Sequence, residues 1–107
     1  MQWMSRMGAV AVALAVLAAN AAAAETIKVT IKGMKFTPAE ITAHVGDTIE
    51  WTNQDPFAHT ATGRNKEWDV SIPAGKVATL VIEKIGSVDY FCRFHSNMKG
   101  KIDVVAN

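Results

Sequence analysis

Residues 76–105, KVATLVIEKIGSVDYFCRFHSNMKGKIDVV, decide the fold. Three runs in this stretch, 76–83, 87–92 and 101–105, are rich in β-branched and aromatic residues, and Gly86 parts the first two with a turn. Each run is too short for a helix and reads as a strand. Working back toward the N-terminus, the pattern persists. TIKVTIK (26–32) alternates Ile27, Val29 and Ile31 with polar residues, the period-two signature of a half-buried strand. Gly33 ends it, Pro38 marks the next bend, and residues 41–45 form a short extended stretch before a turn at Gly46 and Asp47. TIEWT (48–52) puts Ile49 and Trp51 on one face, and residues 53–56, NQDP, read as a loop with His59 just beyond it. Residues 61–70, ATGRNKEWDV, are the least regular part and are expected to form a loop that returns to the core at Trp68. Short strands about ten residues apart, with turn residues between them and no convincing amphipathic helix, predict an all-β sandwich rather than an α/β arrangement.

The opening of the chain reads differently. One positive charge, Arg6, precedes an apolar run, GAVAVALAVLAA (8–19), and small residues follow. Ala22 and Ala24 fit a small-x-small cleavage pattern, so residues 1–24 are expected to be a cleavable signal peptide and residues 25–107 the working domain. The low hydrophobicity of alanine argues against a membrane anchor. An exported chain of this kind belongs in the periplasm. The remainder suffices for one hydrophobic core and not two. With Arg6 removed, its 10 acidic residues are matched by as many basic ones. No basic run or amphipathic basic helix is present, so charge suggests neither nucleic acid nor a lipid surface as partner.

Cys92 is the only cysteine, so an exported protein of this sequence has no internal disulfide and the thiol needs another explanation. A lone cysteine often serves only as a small buried hydrophobe. Here its neighbours matter: residues 90–100, YFCRFHSNMKG, place Cys92, His95 and Met98 in the spacing Cys-x2-His-x2-Met. A thiolate, an imidazole and a thioether suit copper, with a second imidazole, His59, completing a His2Cys trigonal plane and methionine as a weak axial donor. Cys92 would end a strand, and the short turn through Met98 would fold His95 and the thioether back over the sulfur. A structural zinc site would use several cysteines and gain little from a thioether. A covalently attached haem would require Cys-x-x-Cys-His, which is absent.

These features, with the upstream block MKFTPAEITAHVGDTIEWTNQDPFAHTAT (34–62) and its Phe-x-Pro, Gly-Asp and Trp-x-Asn elements ahead of His59, resemble the cupredoxin (type 1 blue-copper) family over essentially all of residues 26–105. The Cys-x2-His-x2-Met spacing is that of its amicyanin-like branch, related to pseudoazurin and plastocyanin. The resemblance implies a Greek-key β-sandwich of about seven to eight strands. It also implies one copper cycling between Cu(I) and Cu(II) on His59, Cys92, His95 and Met98. His59 would be the buried imidazole, His95 the solvent-edge imidazole and electron port, and Met98 the axial tuner. Met34, Phe57, Ala58 and Phe94 would form an apolar rim around His95 that docks transient redox partners of the dehydrogenase or cytochrome type, with the carrier itself a monomer.

Three residues depart from the family pattern. Phe94 and Ser96 stand where prolines usually flank the second histidine, which predicts a less stiff loop, and Thr60 stands where an asparagine usually braces it. Arg93, inside the loop, is expected to favour the reduced, less positive site. Two other functions compete with electron transport. A periplasmic copper carrier or trafficking protein could use the same donors but would need exchangeable metal. A copper enzyme would need further histidine clusters. His44, the remaining histidine, reads as an exposed side chain at a strand end and cannot build a second centre alone, and no Ser-His-Asp or paired-carboxylate arrangement stands out, so no catalysis is expected.

Overall fold

The computed structural model describes residues 23–107, and among the described residues it contains nine β-strands and no helix. The strands are β1 (Thr26–Ile31), β2 (Phe36–Thr37), β3 (Glu40–His44), β4 (Thr48–Asn53), β5 (His59–Gly63), β6 (Asp69–Ile72), β7 (Val77–Val81), β8 (Gly86–Cys92) and β9 (His95–Val105). They form a four-stranded sheet in the order β2-β1-β4-β7 and a five-stranded sheet in the order β3-β9-β8-β5-β6. β1 runs parallel to β4 and β3 parallel to β9, and the other pairs are antiparallel. The chain changes sheet at Pro38 and Ala39, between β2 and β3. The expected all-β sandwich is therefore what forms. The expected signal segment lies outside the described residues apart from Ala23 and Ala24.

Among the described residues there is one strand more than the upper expectation of about eight, and β5 and β6 overlap residues 61–70, where the sequence read as a loop. His59–Gly63 has no apolar alternation to betray it. It is buried along nearly its whole length because β8 and β6 flank it on either side. β2, of two residues, also falls below what pattern reading resolves.

Alternation places Val29, Ile31, Ile49, Trp51, Ile72, Tyr90, Ile102 and Val104 between the sheets. At the centre, Trp51 meets Tyr90 edge-on with ring centroids 5.7 Å apart, and its indole N–H donates to the Tyr90 hydroxyl at 3.3 Å. Phe36 packs on the other side of Tyr90 at 4.7 Å. Burial pushes the Tyr90 phenol up to about 12, the indole donor opposing the shift. Gly100 lies directly across from Tyr90, and a Cβ there would stand 2.3 Å from the ring. The ring occupies the space a side chain would need.

Candidate metal centre

β5 and β8 are adjacent strands, and each delivers one donor to the same end of the sandwich. His59 opens β5 and is 1% exposed; Cys92 closes β8 and is fully buried. His95 opens β9 after a loop of only Arg93 and Phe94 and pairs directly with Cys92. Register then jumps. Phe91 faces Lys99 while Cys92 faces His95, so residues 96–98 are extra on the β9 side, and this bulge turns Met98 inward to 2% exposure. The expected turn through Met98 is thus an irregularity inside β9.

Cys92 Sγ stands 3.7 Å from His59 Nδ1 and 3.7 Å from His95 Nδ1, and the three donor atoms lie within 4.8 Å of one another. Sulfur and nitrogen donors about 2.3 and 2.0 Å from a common centre, 120° apart, would be separated by about 3.7 Å. Both sulfur–nitrogen separations therefore match those of a trigonal S/N site. A groove of about 440 Å³, lined by Trp68, Leu80, Ile85 and Val88 among others, includes none of these donors.

What surrounds the donors fixes their chemistry. His59 Nε2 lies 2.8 Å from Asp55 Oδ2, and both side chains are buried. A carboxylate accepts, so the imidazole proton sits on Nε2 and Nδ1 turns its lone pair toward Cys92. Asp55 is in turn gripped by two successive backbone N–H groups, Gly33 at 2.8 Å and Met34 at 3.0 Å. Both residues have positive φ, 61° and 59°, which aims adjacent N–H groups at one anion. Burial is the largest influence on the Asp55 carboxyl and pushes it up; the donors at Met34, His59 and Gly33 together outweigh it and hold the carboxyl below its usual range. Asn53, 1% exposed, holds the loop in place by donating to Phe57 O at 2.9 Å and Ile72 O at 3.1 Å and accepting from Asp55 N at 2.9 Å.

On the sulfur side, Thr60 N donates to Cys92 Sγ at 3.3 Å, and Thr60 Oγ1 accepts from Arg93 N at 2.9 Å. Thr60 thus ties β5 to the loop by both its backbone and its hydroxyl. Arg93 is not a free cation near the site. Its Nε donates to Asp69 Oδ1 at 3.1 Å, which offsets the electrostatic bias the sequence suggested. Hydrogen bonds from Thr62 and Arg93 hold the Asp69 carboxyl below its usual range. On the rim, Phe57 is 42% and Phe94 57% exposed, and the Phe57 ring is 5.7 Å from that of His95. Met34 is 38% exposed, and Ala58 is also exposed. His44 lies apart, its side chain 51% exposed at the end of β3.

A family model of the cupredoxin-like domain matches residues 6–104. The chain belongs to the cupredoxin family. Among curated relatives this cupredoxin is similar to amicyanin-alpha of Methylorubrum extorquens, at 33% identity over 104 residues, covering 86% of this chain and 87% of that protein. It is also similar to the amicyanin of Paracoccus versutus, at 29% identity over 87 residues, covering 76% of this chain and 66% of that protein's length. Among solved structures, the reduced state of an amicyanin mutant matches with a TM-score of 0.65 and 32% identity over 82% of this chain and 89% of that one. Family membership and the grouped His59, Cys92 and His95 donors together make copper the cofactor of this amicyanin-like cupredoxin.

The structure brings together the two histidines and the cysteine that sequence reasoning selected. Asp55, which bonds His59, and Asn53, Thr62 and Asp69, which lie in the hydrogen-bond networks behind the donors, are not singled out by the sequence.

Proposed function

We propose that this cupredoxin is exported to the periplasm, by cleavage near residue 24, and there carries single electrons between protein partners through one copper held by His59, Cys92, His95 and Met98. The observation that carries the reading is the equal 3.7 Å separation of Cys92 Sγ from two Nδ1 atoms at a largely buried strand end. Copper bound by a thiolate, two imidazoles and a thioether supplies a one-electron couple whose two oxidation states tolerate the same ligand geometry.

The chain's own residues do the rest. Asp55 holds His59 in one tautomer and one orientation, and Thr60 N stabilises negative charge on Cys92. His95 is the half-buried imidazole, beside the exposed ring of Phe57 and next in the chain to the exposed Phe94, so a partner reaches the site at His95. A small apolar contact of this kind suits dehydrogenase or cytochrome partners that must leave after one transfer.

The test is a visible absorption spectrum of residues 25–107 after addition of Cu(II), after a mild reductant, and after reoxidation. An intense blue band that bleaches and returns is the expected result. A colourless protein that binds Cu(I) tightly would replace electron transfer with copper trafficking.

A further inference from the structure

Outside the expected ligands, Asp69, the first residue of the edge strand β6, is tied to the ligand loop. Its Oδ1 accepts from Thr62 Oγ1 at 2.7 Å and from Arg93 Nε at 3.1 Å. Thr62 Oγ1 is 2.9 Å from Thr60 Oγ1, and Thr60 Oγ1 accepts from Arg93 N at 2.9 Å.

Proton counting fixes the direction of every bond. A carboxylate only accepts, so the single Thr62 hydroxyl proton goes to Asp69. Thr62 then has only lone pairs to offer Thr60, so the Thr60 proton goes to Thr62. Thr60 in turn accepts from the Arg93 amide. The circuit leaves Arg93 by its backbone N–H, passes through two hydroxyls, ends on Asp69, and closes on the guanidinium of the same arginine. Bonds aligned in one sense polarise one another.

We propose that Asp69 is a positioning residue for the Cys92–His95 loop, holding Arg93 by backbone and side chain at once. This deepens the electron-carrier reading and rests on it for the loop's purpose. The two-residue loop contains no proline, so its backbone torsions are not restricted covalently, and the circuit restricts them instead. Arg93 Cζ also lies 5.4 Å from the centre of the Phe94 ring, so the same anchored guanidinium steadies a ring on the rim. The Arg93–Asp69 pair is about half exposed, with side-chain exposures of 43% and 49%. An ion pair so exposed adds little to global stability, so its effect is local.

The test begins on the metal-free full domain, with amide hydrogen exchange measured by NMR for wild type, Asp69→Ala, Thr62→Val and Arg93→Gln. In Asp69→Ala the Arg93 amide is expected to exchange about tenfold faster, as loss of one supported hydrogen bond implies, while the Tyr90 and Ile102 amides and the urea midpoint barely move. Thr62→Val and Arg93→Gln, each cutting one arm, give smaller accelerations. Asp69→Asn, whose amide oxygen still accepts from Thr62, restores most of the protection. With copper added, Asp69→Ala shifts or broadens the thiolate-to-copper absorption band, and Asp69→Asn returns it toward wild type. An unchanged Arg93 exchange rate, or acceleration spread evenly over the core, overturns the assignment. A wild-type protein that is not blue would sink the electron-carrier reading, while the exchange data would still decide whether Asp69 holds the loop.

Discussion

Replacing Asp55 by alanine removes the acceptor of three hydrogen bonds at once: Gly33 N at 2.8 Å, Met34 N at 3.0 Å and His59 Nε2 at 2.8 Å. Hydrogen bonds to a charged acceptor are each worth about 1.5–3 kcal/mol, but burying the carboxylate costs part of that total. The bonds at Gly33 and Met34 are only partly buried, so water can replace the lost oxygen there. His59 has no such relief, because its side chain is fully buried and stranding its N–H costs about 1–3 kcal/mol. A net loss of about 2–4 kcal/mol follows, a large fraction of the roughly 5–15 kcal/mol that holds a small domain folded. The assay is urea unfolding of the metal-free domain, wild type against variant. With a slope near 1 kcal/mol/M, the midpoint falls by about 2–4 M. Asp55→Asn separates charge from packing. Its amide oxygen still accepts from one backbone N–H, but its NH2 confronts the His59 N–H. Relief comes by moving the imidazole proton to Nδ1, the atom that faces Cys92. Nitrogen NMR should therefore report Nε2–H in wild type and Nδ1–H in Asp55→Asn, and copper affinity should fall about 10–100-fold. A midpoint within about 0.5 M of wild type for Asp55→Ala, or an unchanged tautomer in Asp55→Asn, would refute the claim that this carboxylate orients the ligand.

Cys92→Ser should abolish the intense blue band, since oxygen cannot replace thiolate in producing it, and a blue variant would sink the ligand assignment. Met98→Leu should keep copper and raise the reduction potential, because losing axial donation destabilises Cu(II) more than Cu(I); an unchanged voltammogram would remove Met98 from the ligand set. Gly100→Ala forces a methyl into the Tyr90 ring and should cost at least about 1–3 kcal/mol in urea unfolding, with a smaller cost in a Tyr90→Leu background. Asp47 is held below its ordinary 3.8 chiefly by the Glu25 N–H, then by the His44 N–H, with burial opposing. A depressed folded value stabilises above the unfolded one and is lost as pH falls through it. The metal-free domain should therefore weaken below about pH 4, and Asp47→Asn should flatten that acid limb in urea midpoints measured across pH.

The strands that sequence reveals are those with one wet and one dry face. β1 and β4 alternate clearly because solvent meets one side, and both were legible. β5 was not, because its residues are chosen for fit rather than contrast. Gly63 lies under Trp68, where a Cβ would stand 3.0 Å from the indole, and small residues there look like a loop in one dimension. The site divides similarly. Cys92, His95 and Met98 sit within one short segment, so their chemistry is visible as spacing, and His59, 33 residues from Cys92, enters through the donor count copper requires. Asp55 and Asp69 carry no such mark. Their partners at Gly33 and Arg93 lie 22 and 24 residues away, and a carboxylate in a polar turn is indistinguishable from any solvated one until the sheets assemble.

The same assembly makes the two histidines unequal, and that inequality gives the site a direction. His59 is fixed at both ring nitrogens, Nδ1 toward the sulfur and Nε2 against a carboxylate that the β1–β2 turn holds in place. His95 is held toward the sulfur by Nδ1, and among the described residues no hydrogen bond reaches its Nε2. One imidazole is therefore part of the framework, while the other is secured only by what binds between them and by the loop that precedes it. An electron leaving through His59 would enter the interior of a sandwich. Leaving through His95, it emerges at the half-buried end of the sandwich beside the exposed ring of Phe57. The loop before His95 thus has to be stiff for a reason His59 does not share, and with no proline to stiffen it, the hydroxyl circuit from Arg93 to Asp69 is the chain's own means of doing so.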